Sequence, residues 1–165
     1  MTVSWGTRSG ITRRAEQFLQ EFELVRWTSD FNSQEFAEGA AQTFKAGQPV
    51  KLSAGLLIAC VDSDTAILGI AVKGASGVTG TPVPVWVCNE DIIFKAKCTG
   101  GTPAAANVGV LYEVDLTATV FTVNLAATTN VMFRVVGLPV GFATTTHENF
   151  LKVYCVGAHA ARQMN

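Results

Sequence analysis

Val83-Pro84-Val85-Trp86-Val87-Cys88, then Asn89-Glu90-Asp91, then Ile92-Ile93-Phe94-Lys95-Ala96-Lys97-Cys98: this stretch decides the fold class. Val83, Val85 and Val87 alternate with Pro84, Trp86 and Cys88, and Phe94, Ala96 and Cys98 alternate with Lys95 and Lys97. A two-residue period sends successive side chains to opposite faces of an extended chain, so each run reads as a half-buried strand. Asn89-Glu90-Asp91 between them is turn chemistry. Pro82 and Pro84 have no N–H to give a sheet ladder, which places the start of that strand at an edge or rim.

The same reading extends in both directions. Alternation recurs at Val110, Tyr112 and Val114, at Phe121, Val123 and Leu125, at Val131, Phe133 and Val135, and at Leu151, Val153 and Cys155. With the apolar runs Leu56 to Val61 and Ile67 to Lys73 this makes about eight strands. Asp62-Ser63-Asp64, Gly74 to Gly80, Gly100-Gly101-Thr102-Pro103 and Gly137 to Gly141 separate them. Short strands broken by such turns imply a mainly β fold, a small barrel or sandwich, rather than βαβ units.

Residues 1–38 differ from the rest. They hold ten of the 25 charged residues, Arg8, Arg13, Arg14, Arg26, Glu16, Glu21, Glu23, Asp30, Glu35 and Glu38. The contrast divides the chain into an N-terminal arm, 1–38, and a single β domain, 39–165. Within the arm Ala15, Phe18, Leu19 and Phe22 follow the spacing of one helical face and Thr12 is placed to cap it, which predicts a short amphipathic helix over 13 to 25.

At 165 residues the chain suits one core. Only 15% of it is charged, against about 25% in an average soluble protein, so part of the surface is expected to be covered by a partner. Residues 99–130 concentrate this effect, with Glu113 and Asp115 the only charges among Ala, Thr, Gly, Val and Asn. A homo-oligomer follows as the expectation. The net charge of −1 gives no cationic field for nucleic acid or anionic lipid. The longest apolar run, Leu56 to Val61, falls far short of the roughly 20 residues that span a bilayer. The opening MTVSWGTRSG lacks the apolar centre of a signal peptide, so synthesis in a cytoplasm is expected.

Catalytic, cofactor and metal sites are not evident. Cys60, Cys88, Cys98 and Cys155 are widely spaced and lie largely in apolar runs, which predicts buried free thiols rather than a zinc site. Asp62-Ser63-Asp64 offers two carboxylates where calcium takes about 6–8 oxygens, and reads instead as a carboxylate-assisted turn. His147 and Glu148 are adjacent, so on an extended segment they point apart, and His159 stands alone. Gly74-Ala75-Ser76-Gly77 has no following Lys-Ser or Lys-Thr for a phosphate loop. Arg8, Arg13 and Arg14 precede the first acid, Glu16, and Trp5 adds an aromatic ring. These four are the candidate partner-binding residues, suited to a protein surface more than to nucleic acid.

One stretch has a familiar pattern. Phe44-Lys45-Ala46-Gly47-Gln48-Pro49-Val50, then Asp64-Thr65-Ala66-Ile67-Leu68-Gly69-Ile70-Ala71 and Ala75-Ser76-Gly77, leading through Gly80 to Val83-Pro84-Val85, resembles the small β-barrel capsid decoration (cement) proteins of tailed bacteriophages. Gly109-Val110-Leu111-Tyr112-Glu113-Val114 and Val135-Val136-Gly137 suit the second half of that pattern, so the resemblance covers about residues 44 to 138. The charged N-terminal segment and the strand near Leu151 to Val156 depart from it.

The resemblance implies a structural protein on the exterior of a virion, often trimeric, that binds the major capsid protein and staples neighbouring capsid subunits. A receptor-binding or tail-fibre β module of a virion is the alternative. A small trimeric β enzyme of the dUTPase kind is a third, but the arginine and serine phosphate pattern and the glycine-rich closing arm of those enzymes are not found.

Overall fold

The structure, a computed structural model, describes residues 22–26, 33–88, 92–138 and 150–155. It is mainly β. The strands of the larger sheet are β1 (Phe22–Arg26), β7 (Ile93–Thr99), β8 (Leu111–Thr117), β9 (Val120–Asn124), β10 (Val131–Gly137) and β11 (Phe150–Cys155). Those of the smaller are β2 (Gln34–Ala37), β3 (Pro49–Ser53), β4 (Leu56–Ala59), β5 (Gly69–Ala71) and β6 (Pro82–Val87).

Both sheets curl until their ends meet. The larger runs β1-β7-β11-β10-β8-β9, and a parallel pairing of Cys98 with Val123 and Thr99 with Asn124 joins β9 back to β7. Five strands thus form a ring, with β1 flanking β7. The smaller sheet runs β2-β6-β5-β3-β4, and a parallel bridge from Glu38 to Leu57 brings its two outer strands together. Closure leaves few unpaired strand edges for adventitious pairing.

Each barrel has its own core, and β6 serves both. Val83, Val85 and Val87 face inward with Phe44, Val50, Leu57 and Leu68 in the smaller barrel. On the opposite face Trp86 joins Ile70 and Cys88 in packing against the larger cluster, its ring 6.3 Å from that of Phe94. The alternation that announces β6 therefore reflects two apolar environments rather than one apolar and one wet. In β7 the alternation separates buried Phe94, Ala96 and Cys98 from half-buried Lys95 and Lys97.

Three expectations change and a fourth is narrowed. Residues 22–25, assigned to an amphipathic helix, belong to strand β1, because Phe22 and Leu24 pair with Ala96 and Phe94 on β7; residues 13–21 lie outside the described residues. Gln34–Ala37, assigned with them to the arm, is a strand of the smaller sheet paired with β6. Eleven strands, not eight, are found among the described residues, since β1, β2 and β3 add to those expected. The edge or rim expected at Pro82 and Pro84 is a rim, for β6 is an interior strand. The N–H of Val72 donates to the carbonyl of Pro84 at 2.9 Å, so the polar edge of Pro84 faces the β5 side just past the end of β5 at Ala71. The prolines thus mark a rim and not a sheet edge.

Cys60, Cys88 and Cys98 are buried, and burial pushes the Cys98 thiol up to about 11. The side chain of Cys155 lies outside the described residues.

Candidate contact surfaces

The turn Asp62-Ser63-Asp64 fastens one barrel to the other. Asp62 Oδ1 accepts the N–H of Leu116 at 2.9 Å, and the N–H of Ser63 donates to the carbonyl of Val114 at 3.2 Å, both on β8. Asp64 accepts the N–H of Val61 at 3.1 Å and pairs with Lys51 at 2.5 Å. The two carboxylates thus serve different partners. Among the described residues no three His, Cys, Asp or Glu side chains come together as metal ligands.

Half-buried Asp115 stands beside Asp62 in this seam. Burial raises its pKa, as do the hydrogen bond and charge of Asp62 and the charge of Glu113, against an opposing hydrogen bond from Thr99. A carboxyl whose folded pKa is raised holds its proton better in the native state. Its stabilising contribution is complete below the unfolded pKa and is lost as pH rises through the folded value. At neutral pH the pair is therefore a repulsion. Asp115→Asn keeps the hydrogen-bonding shape and removes the charge, so it is expected to stabilise the protein at neutral pH by about 0.2–1 kcal/mol, the scale of a partly exposed charge pair. The gain should vanish below the ordinary aspartate range. Thermal melts of both proteins across pH check this, and equal melting points at neutral pH would show that the two carboxylates do not repel.

The uncharged segment is a genuine surface. In the β7–β8 connection Thr102, Ala104, Ala105, Ala106 and Val108 are exposed, the middle of it forming a short 3-10 turn, Ala105–Asn107. Asn107 holds that turn in place, its Oδ1 accepting the N–H of Ala104 at 2.7 Å and its amide donating to the hydroxyl of Tyr112 at 2.7 Å. Exposed Ala126, Thr128 and Thr129 belong to the neighbouring β9–β10 connection, which the Leu125 N–H ties to the Thr99 carbonyl at 2.9 Å. Every exposed residue of this stretch is neutral, because Glu113 and Asp115 are both half-buried; Glu113 Oε2 caps the N–H of Asn130 at 3.4 Å.

A second feature lies outside any sequence expectation. Glu38 is wholly buried, and its carboxylate accepts the N–H and hydroxyl of Ser76 at 2.8 and 2.9 Å and the N–H of Gly77 at 2.6 Å. Burial works to raise its pKa, but these donors and the charge of Lys73 outweigh it and hold the carboxyl below its ordinary value. Nothing in Ala37-Glu38-Gly39-Ala40 signals this, since the donors lie 38 and 39 residues away.

Trp5, Arg8, Arg13 and Arg14, the expected partner-binding residues, lie outside the described residues, as do His147, Glu148 and His159. Among the described residues no helix is long and apolar enough to cross a membrane. Set against known proteins, the chain matches no family model, no curated protein and no solved structure.

Proposed function

We propose that the chain is a structural virion protein that binds the outer surface of a tailed-phage capsid and stabilises contacts between major capsid subunits, acting as a homo-oligomer and, by the family resemblance, a trimer. The observation that carries this reading is the neutral exposed surface at 100–109 and 126–129. Small uncharged side chains lose little hydration when covered and let two backbones approach closely, as suits a protein that packs against copies of itself. Repetition over a shell then turns modest contacts into avidity.

Light scattering at micromolar concentration is expected to show an oligomer. Placing charge at the centre of the surface, Ala105→Glu with Val108→Glu, should shift it towards monomer while circular dichroism stays unchanged, because both positions are exposed. A wild-type protein that is strictly monomeric would remove this surface as a self-association site.

The grip on the shell is assigned to Trp5, Arg8, Arg13 and Arg14, an aromatic anchor with three charged donors. Deleting residues 1–14 is expected to preserve fold and oligomeric state and to lower occupancy on undecorated capsids. Replacing the three arginines alone should remove mainly the salt-sensitive part of binding. Undiminished occupancy of the truncated protein would move the contact to the β body. Electron microscopy of particles separates a capsid position from a tail or fibre one.

A further inference from the structure

Glu38 touches both outer strands of the smaller sheet and holds one loop at two places. Directly after β2, its backbone bridges Leu57 on β4, and the next residue, Gly39, donates its N–H to the Leu57 carbonyl at 2.8 Å. Its own N–H reaches the Thr81 carbonyl at 2.9 Å, and its carbonyl accepts the N–H of Gly80 at 2.8 Å. The carboxylate takes Ser76 and Gly77, as described above. The loop between β5 and β6 is thus held at its middle, Ser76 and Gly77, by the side chain and at its end, Gly80 and Thr81, by the backbone. Within the loop the Ser76 and Thr81 hydroxyl oxygens lie 3.1 Å apart; the Ser76 proton is committed to Glu38, so Ser76 Oγ accepts from the Thr81 hydroxyl, and it also accepts the N–H of Val78 at 3.2 Å. Gly77 and Gly80 have φ of 80° and 84°, which glycine adopts without strain. The tip carries Val78, 63% exposed, the most exposed large hydrophobic side chain among the described residues.

We infer that Glu38 is a carboxylate latch: its anion couples closure of the smaller barrel to the shape of the exposed Ser76–Gly80 loop, and loss of the anion frees that loop while the larger barrel stays intact. The chemistry is that of an internal anion site. Two successive backbone N–H groups and a hydroxyl converge on a carboxylate with no access to water, where charge-assisted bonds are strong. A neutral acid or amide places its own hydrogens against those donors and satisfies fewer of them. The charge that acts on the group is Lys73, on the same connection. The flanking strands β4 and β6 carry no ionisable residue. A loop fixed in one shape binds a partner without the entropic cost of ordering, so the latch makes Val78 and its neighbours a pre-shaped tip. This inference stands independently of the capsid reading.

Amide hydrogen exchange with site resolution tests it. In Glu38→Gln at neutral pH, protection of the Ser76 and Gly77 amides is expected to fall about tenfold or more, the equivalent of one lost charge-assisted hydrogen bond. Protection in β7 and β11 should be unchanged. In the wild-type protein the same loop amides should lose protection on acidification in step with the carboxyl ¹³C shift of Glu38, below the ordinary carboxylate range and before the larger barrel unfolds. Wild-type protection at Gly77 in the variant would overturn the latch. If the variant does not fold, the acid titration alone decides: loop protection that follows Glu38 supports the latch, and loop protection indifferent to Glu38, or lost only together with β7 and β11, overturns it.

Discussion

Phe22→Ala is expected to destabilise the fold by about 3–5 kcal/mol, the range for emptying a buried aromatic site. Phe22 is fully buried between two other fully buried rings. It stacks on Phe133 with centroids 4.9 Å apart and planes at 29°, and meets Phe94 edge-on at 6.4 Å and 82°. Removing it takes away hydrophobic burial and two favourable ring geometries at once. The strand that carries it compounds the loss. β1 is five residues long, pairs among the described strands only with β7, and shifts register between Leu24 and Arg26. With the ring gone little anchors β1, and water reaches the faces of Phe94 and Phe133. Urea denaturation measures the effect. A loss under about 0.5 kcal/mol, the scale of ordinary surface substitutions, would return Phe22 to a peripheral arm.

That position also shows where the amino-acid pattern is ambiguous. Ala15, Phe18, Leu19 and Phe22 fit one helical face, and five residues of strand, Phe22-Glu23-Leu24-Val25-Arg26, are too few for a two-residue period to override it. The charge density around them strengthens the impression of an appendage. What decides for the strand is a partner about 70 residues away in sequence, Phe94 to Ala96, and a local window holds no trace of it. In β2 only Phe36 is even half-buried, so no apolar alternation announces that strand. In β3 the alternation of Val50 and Leu52 around Lys51 is present, but the turn that follows is Ala54-Gly55, with φ of 49° and 80°. Alanine is not the residue a left-handed turn position advertises. Strands β6 to β11 were legible because each has at least one face committed to a core. The neutral stretch 99–130 was legible as a surface because composition alone separates it from the rest. The bracing of the β5–β6 loop by Glu38 was not, since a glutamate between alanine and glycine looks like any solvated charge until its distant donors are known.

Gly69→Ala carries the other large effect, for a reason of space rather than backbone freedom. An alanine Cβ at that position would lie 2.2 Å from the carbonyl oxygen of Trp86, 2.7 Å from Val85 Cγ1 and 2.9 Å from the Trp86 carbonyl carbon. The first and third of these are main-chain atoms of β6, and they can withdraw only if β5 and β6 separate. β5 lies between β6 and β3, with Gly69 opposite both Val87 and Val50, so separation opens the centre of the smaller sheet. The neighbours of Gly69 transmit the damage in two directions, because Leu68 packs in the smaller core while Ile70 and Trp86 pack against the larger. The cost is expected at or above the upper end of the roughly 1–3 kcal/mol typical of an overpacked core. Gly55→Ala is the control. There no atom lies within 4 Å, but φ is +80°, so the only penalty is left-handed backbone, about 1–2 kcal/mol. Parallel thermal melts, read by far-ultraviolet and near-ultraviolet circular dichroism, compare the two. Gly69→Ala should fall well below Gly55→Ala and lose both signals in one transition, since the strand it displaces, β6, puts Trp86 6.3 Å from Phe94 in the larger core. Equal losses in the two variants would mean that β5 and β6 part easily. A stepwise melt with the larger barrel surviving would mean that the two cores do not depend on each other.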